Sequence, residues 1–437
     1  MKPHIKLILK KEISSHHIPY WKDVAAGKET AQKHLFPAID SVFQAYDRSV
    51  QVTKEYQPSG NASAGSLWDK AERASGFNRA YRLILTQNKE IPADLIEAIA
   101  VLPMVESVTP GTIAVAELPP VMAKSFSLET DRRSRRAIYL PEAHEYSQGH
   151  GEITVAVLDT GIDLSHPELT KALLPGHDFV DIIDGAGKFV GDYLGYDEDP
   201  DDEVGHGTHV AGIIAAQGLE MPLGVVPQCK ILPVRVLGAM KRGSKKVGAG
   251  LVDNINSGIK WAIDRGADVI NMSLGIQHTG GGLPHADVVD YARRKGVSIV
   301  AASGNDGQEQ LYYPGALSHV IAVGALDAAG EMAHFSTYGK QVDFAAPGTD
   351  IYSTYIGNDY GFSTGTSHAS PFVAGAIALL KSYALQKHDR ALSDRQVKHV
   401  LKHTSDKLDK RFKHSKAGFG SLNLLDALRL LEHKLTK

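Results

Sequence analysis

The chain has 437 residues, more than one hydrophobic core usually serves, so a large domain with a smaller companion is expected. Apolar residues make up 43% and charged residues 22%, which excludes a mainly disordered protein. Lys and Arg total 47 against 50 Asp and Glu, a net charge of −3 that selects neither nucleic acid nor an anionic membrane as partner.

Cys229 is the single cysteine, so no intramolecular disulfide is available. The first apolar run, residues 5–9, is interrupted by Lys6 and closed by Lys10 and Lys11, too short for a signal peptide. No stretch reaches the roughly 18 apolar residues of a membrane span. The expectation is a cytoplasmic protein, with secretion by another route as the alternative.

In chain order, residues 1–118 read as β-α-β-β-α-β: strand 5–9, a helix within 29–46, strands 49–56 and 80–86, helix 93–101 and strand 105–115. That order predicts a smaller α+β, ferredoxin-like domain. Residues 57–65, rich in Ser, Gly, Asn and Pro, read as a loop. Residues 119–136 open with Pro119-Pro120, contain Arg132, Arg133, Arg135 and Arg136, and show no periodicity; they read as a linker. The basic run is either a solvated loop or a proteolytic processing region.

From Gly151 onward the pattern changes. Residues 153–158, 231–236, 269–272, 297–302 and 320–323 are near-continuous apolar runs, the mark of strands buried on both faces of a parallel sheet. Helices are expected at 206–216, 250–265, 285–295 and 367–385, and Ser393 with Gln396 forms a capping box opening a further helix to about 403. Residues 137–437 are thus expected to form an α/β domain around a doubly wound, mostly parallel sheet.

In such a sheet, reactive residues gather where strands end and helices begin. Three junctions qualify. Val155-Ala156-Val157-Leu158-Asp159-Thr160-Gly161 ends a buried strand in a carboxylate. Gly205-His206-Gly207-Thr208-His209 starts a helix with a histidine among glycines, and Gly365-Thr366-Ser367-His368 puts a serine in the first turn of a long apolar helix. A serine hydroxyl needs a base, and the base needs a third group to hold its other nitrogen. Ser367, His206 and Asp159 supply those roles. The helix N-terminus under Ser367 would direct amide donors at a developing oxyanion, and Asn305, after another buried strand, is the candidate for a second donor.

These segments, in the order Asp, His, Ser, resemble the signatures of the subtilisin-like serine proteases (subtilases, peptidase family S8), and the resemblance extends from about residue 142 to about 428. It implies a serine endopeptidase that hydrolyses protein or peptide substrates through an acyl-enzyme, with no cofactor needed for the chemistry. Asn271-Met272-Ser273-Leu274-Gly275 resembles the family's strand that pairs with extended substrate, which implies substrate contacts from Ser273, Leu274 and Gly275. Ala302 and Gly304 resemble the wall of the pocket for the side chain preceding the cut. Gly418-Phe419-Gly420 with Asn423 is similar to the family's closing motif. By the same resemblance the N-terminal domain is a propeptide that assists folding and then inhibits, making the chain a zymogen that cleaves itself between about 115 and 137.

The sequence departs from the family in three places. His368 stands where a methionine is usual, as a packing residue or as a titratable neighbour of the nucleophile. Residues 240–246 form a longer, more basic loop, which suggests a preference for acidic residues upstream of the cut. Residues 217–224 lack the asparagine-rich pattern of the family's best-known calcium loop. A structural calcium elsewhere is suggested by Asp192, Asp197, Glu198, Asp199, Asp201, Asp202 and Glu203 before His206; the alternative is a solvated acidic loop.

Rival readings fit less well. An aspartic protease needs a second Asp-Thr-Gly or Asp-Ser-Gly, and none occurs. His206 and His209 lack the glutamate of a zincin motif, so His209 reads as a packing residue. A catalytically silent binding or scaffold module of the same fold is opposed by competent residues at Asp159, His206, Asn305 and Ser367.

Overall fold

The structure is a computed structural model that describes residues 3–13, 17–60, 67–87, 90–118, 120, 128–181, 189–190, 197–242, 245–277 and 283–436. The acidic Asp192 and most of residues 119–127 therefore lie outside the described residues.

The first strands are β1 (His4–Leu9), β2 (Val50–Lys54), β3 (Ala80–Leu85) and β4 (Val105–Pro110), in an antiparallel sheet of order β2-β3-β1-β4. Helices α1 (Pro37–Ala45) and α2 (Ala93–Ala100) pack Ile39, Phe43, Leu95 and Ile99 onto Leu7 and Leu83 of the sheet. Pro37 sits in the first turn of α1, where its missing N–H costs nothing. The expected β-α-β-β-α-β order is present, with added short helices at Trp21–Ala25 and Lys70–Ala74.

The expected strand 105–115 is in fact two. Pro110 ends β4, and Gly111 lies so close to the His4 ring that a Cβ there would meet it at 2.0 Å. The chain then leaves for a second sheet as β5 (Ile113–Glu117). The expected linker also contains structure: α3 (Leu128–Arg136) carries the basic run, with Arg133, Arg135 and Arg136 in its last turn, where the helix dipole favours cations. Arg135 is buried and its Nε donates to the Leu223 carbonyl at 2.9 Å, while Arg132, Arg133 and Arg136 stay exposed, so the run is helical rather than a loop.

The large domain is built on β6 (Thr154–Asp159), β7 (Lys230–Arg235), β10 (Val269–Met272), β11 (Ser298–Ala302), β12 (Val320–Leu326) and β13 (Val342–Pro347), with the edge pair His177–Asp178 as seventh strand. All its pairings are parallel, in the order β13-β12-β11-β10-β6-β7 and then the edge pair. Sequence neighbours β6 and β7 are adjacent, and the later strands build outward from the other side of β6. Strand order therefore reverses beside β6, where a crevice opens at the carboxyl ends.

Helices α4 (His206–Ala215), α5 (Val252–Asp264), α6 (Ala286–Lys295), α7 (Thr366–His388), α8 (Asp394–Thr404) and α9 (Leu424–Leu435) flank the sheet. Helix α7 is buried from Thr366 through Ala384, because its apolar residues run all round rather than along one stripe. The expected capping box at Ser393 and Gln396 is formed at the start of α8. The expected loop 240–246 is a hairpin of β8 (Gly238–Arg242) and β9 (Lys245–Leu251), with β5 added to the free edge of β9.

Candidate active site

Asp159 ends β6, fully buried. Its Oδ1 accepts from His206 Nδ1 at 2.6 Å and from the Thr160 amide at 2.8 Å. This fixes the imidazole with Nδ1 protonated and leaves Nε2 as the basic atom. The approach is close enough to require Gly207, where a Cβ would fall 2.0 Å from the Gly161 carbonyl oxygen. Burial opposes charge on His206, but the charge and hydrogen bond of Asp159, with Asp202 behind them, outweigh it and raise its pKa above the ordinary value.

Asp202 is the acidic-loop residue that matters here. It is buried, and its two oxygens accept from the Thr160 hydroxyl (2.9 Å), the amides of Val204 and Gly205 (both 2.9 Å), and the Thr208 amide and hydroxyl (3.0 and 2.7 Å). It thereby caps α4, the helix that carries His206, and ties it to the turn after Asp159. Among its neighbours, Asp197 and Asp199 accept the amides of Asp199 and Asp201, while Asp201 accepts that of Leu164. Among the described residues no group of three or more His, Cys, Asp or Glu is arranged to hold a metal. In the 217–224 segment the amides of Leu219, Glu220 and Met221 all point at the Glu168 carboxylate (2.9, 2.7 and 3.2 Å), an arrangement suited to an anion rather than a cation.

Ser367 lies in the first turn of α7 and lines a cleft of about 1430 Å³. Ser273, Leu274, Gly275, Ala302, Gly304 and Asn305 line the same cleft, so the structure brings all the expected substrate-contact residues together with the serine. Asn305 is turned by a residue that sequence reasoning passed over. Its Oδ1 accepts from the Thr366 amide and hydroxyl, both at 2.9 Å, which leaves the Nδ2 amide as the donor.

His368 is fully buried, and neither ring nitrogen has a hydrogen-bond partner among the described residues. Its ring meets His209 edge-on at 4.6 Å and His206 at 5.5 Å between centroids. Burial, then the neighbouring histidines, push its pKa well below the ordinary range, so it is neutral. His209 Nε2 donates to the Gly361 carbonyl at 3.1 Å, and burial pushes its pKa down to about 3. Its role is structural.

The N-terminal segment lines one side of the cleft. Strand β5 pairs antiparallel with β9, Ala114 opposite Gly250 and Ala116 opposite Gly248, and Thr112, Ile113 and Ala116 line the cleft wall. Beyond it the Ser363 hydroxyl reaches the Pro120 carbonyl at 3.4 Å, so the chain continues past the first turn of α7. The N-terminal sheet and the short helix Lys70–Ala74 beside it are clamped to α5 and α6. His4 contacts Asp253 at 2.7 Å, Lys6 pairs with Asp287 at 2.7 Å, Arg82 reaches Asn254 at 2.8 Å and Lys260 reaches Glu72 at 2.7 Å. Trp21, Tyr56 and Phe77 join the same apolar cluster as Ile259 and Tyr291.

Residues 150–420 match the sequence profile of the Subtilase family. The chain is 38% identical over 293 residues to the thermophilic serine proteinase of Bacillus sp. (strain AK1), covering 66% of this chain and 65% of that protein. It is 40% identical over 268 residues to the major intracellular serine protease of Bacillus subtilis (strain 168), covering 60% of this chain and 78% of that one. To thermitase of Thermoactinomyces vulgaris it is 38% identical over 273 residues, 62% of this chain and 87% of the relative.

Proposed function

The chain belongs to the subtilase family of serine proteases, and on that premise we propose that it is a self-inhibited endopeptidase acting through Ser367, His206 and Asp159. The observation that carries this reading is the Asp159–His206 hydrogen bond at 2.6 Å beside a cleft lined by Ser367 and Asn305. In the proposed cycle His206 Nε2 takes the Ser367 proton as Oγ attacks a peptide carbonyl. The developing oxyanion is held by Asn305 Nδ2 and the Ser367 amide, which at the start of α7 has no intrahelical partner. His206 gives that proton to the leaving amine as the C–N bond breaks, and the acyl-enzyme is then hydrolysed by water activated by the same, again neutral, histidine.

Self-inhibition is supported by β5, which adds a strand to the edge of β9 and lines the cleft that holds Ser367. The maturation cut is proposed to lie between Ala116 and Pro120, where the chain passes from β9 to Ser363, rather than in the basic run, which is held in α3. A cytoplasmic site of action belongs to the same proposal. It is supported by a lone buried Cys229 and by a relative named for its intracellular location, while no described helix is long and apolar enough to cross a membrane.

The test is covalent labelling of the full chain with a fluorophosphonate, casein hydrolysis, and N-terminal sequencing of any processed form. Labelling at Ser367, hydrolysis lost in Ser367→Ala, and a new N-terminus within 117–120 are expected. Hydrolysis that survives Ser367→Ala would remove this serine from the mechanism.

A further inference from the structure

The slot beside Ser367 is filled. Its walls are the backbones of Ser273 to Gly275 and Ala302 to Gly304, and the ring of Tyr312 spans the gap between them. A Cβ on Gly275 would meet Tyr312 Cβ and Cδ1 at 3.1 and 3.2 Å, and a Cβ on Gly304 would meet Cδ2 and Cε2 at 2.7 Å. One edge of the ring thus lies on each glycine. Gly304 also has φ +108°, so both its conformation and the close ring demand glycine.

The ring is held at both ends. Its backbone is in a two-residue antiparallel pairing, Gln277 opposite Tyr312 and Ile276 opposite Tyr313, which ties it to the same wall. Its hydroxyl donates to the Asp306 carboxylate and accepts from Gln277 Nε2 at 3.0 Å. Asp306 is itself anchored, its amide donating to the Thr337 hydroxyl at 3.0 Å. Swinging the ring out would break a charge-assisted hydrogen bond and expose the slot floor.

Resting on the peptidase reading, we infer that Tyr312 sets specificity at the residue preceding the scissile bond, by occupying the space that residue's side chain would take. An extended substrate that places its carbonyl at Ser367 and Asn305 directs this side chain between the two walls. Glycine, alanine and serine fit there without moving the ring. Phenylalanine and leucine require the volume the phenol already fills, and an acidic side chain would also face Asp306.

The experiment compares the self-processed enzyme with Tyr312→Ala and Tyr312→Phe. Peptide substrates are identical except for Ala, Leu or Phe before the cut. The wild type is expected to favour Ala over Phe in kcat/KM by at least about tenfold, the scale at which pocket volume discriminates. Tyr312→Ala is expected to raise the Phe-to-Ala ratio by at least about tenfold, while Tyr312→Phe, which keeps the ring, preserves the wild-type order. A wild type that cuts after Phe as well as after Ala overturns the inference, whether or not the variants fold. So does an unchanged ratio in Tyr312→Ala. Fluorophosphonate labelling, which needs no side chain in the slot, separates the two readings. Labelling with the wrong ranking removes Tyr312 alone, and no labelling of the wild type removes the peptidase reading and this inference with it.

Discussion

Ser367 and Ser273 hold each other reciprocally: the Ser367 hydroxyl donates to the Ser273 carbonyl at 3.1 Å, and the Ser273 hydroxyl donates to the Ser367 carbonyl at 2.7 Å. The cause is in the helix. Pro371 stands four residues after Ser367 and has no N–H to give its carbonyl, so Ser273 supplies the missing donor. His206 Nε2 has no partner among the described residues, so attack requires the Ser367 hydroxyl to turn from Ser273 to the imidazole. Ser273→Ala should leave a buried carbonyl without a donor, costing about 1–3 kcal/mol of stability by urea denaturation. A cost near zero would mean that the first turn of α7 does not depend on this pair.

Asn305 offers its amide to the cleft because Thr366 occupies its oxygen. Asn305→Ala should lower kcat about 10²- to 10³-fold with KM little changed, the range known for removing one such donor from a subtilisin. Thr366→Val should give a smaller loss of the same kind, since the Thr366 amide still holds Asn305. Steady-state kinetics on one peptide checks both. A KM effect in either variant would assign these residues to ground-state binding instead.

The raised pKa of His206 fixes the acid side of the pH profile. Activity needs neutral Nε2, so kcat/KM should fall as pH drops through a value above the ordinary histidine pKa of about 6.5. Asp159→Asn removes the charge that raises it and puts a neutral amide, able to present N–H to Nδ1, in place of a carboxylate that only accepts. The limb should then move to lower pH, and kcat should fall by about 10⁴-fold as the tautomer is lost. A limb that stays in place would mean that another group titrates.

His368 carries a fold cost. Its imidazole is neutral in the fold and protonated in the unfolded chain below about pH 6.5, so stability is present above that pH and lost as pH falls through it. His368→Met should add about 1–3 kcal/mol near neutral pH by removing two buried nitrogens that have no partner among the described residues. It should also flatten the acid side of the melting-temperature profile. Unchanged melting at all pH values would show that the cavity accommodates the imidazole at no cost.

The clamp on the N-terminal sheet is ionic and buried. Burial works against the Asp253 charge, but the His4 hydrogen bond and the Lys6 charge hold its carboxyl well below the usual range. Its contribution is therefore present above about pH 4 and lost as pH falls below that. In a Ser367→Ala background, which prevents self-cleavage, Asp253→Ala should weaken docking by about 3–5 kcal/mol. Hydrogen exchange at the amides of β1 and β4 measures it, and unchanged protection would mean that the apolar contacts of Trp21, Tyr56 and Phe77 hold the sheet alone.

The sequence by itself determined the strand and helix order, the parallel sheet and the identities of Asp159, His206, Asn305 and Ser367. Apolar runs without alternation and glycine-flanked polar residues at strand ends are local signals, readable without knowing what lies opposite. Tertiary structure alone decided the rest. Asp202 looked like one carboxylate in an acidic loop, since nothing in the string shows which of seven neighbouring acids turns inward to cap α4. The strand 105–115 divided because its second half found a partner in β9, about 130 residues away, and the helix over 128–136 docks through Arg135 on the Leu223 carbonyl. Ser273 and Pro371 are 98 positions apart in the chain, yet the loss of one N–H at the second is made good by the hydroxyl of the first. Such pairings depend on long-range packing, where one group's unmet hydrogen bond selects its neighbour only after the chain has folded.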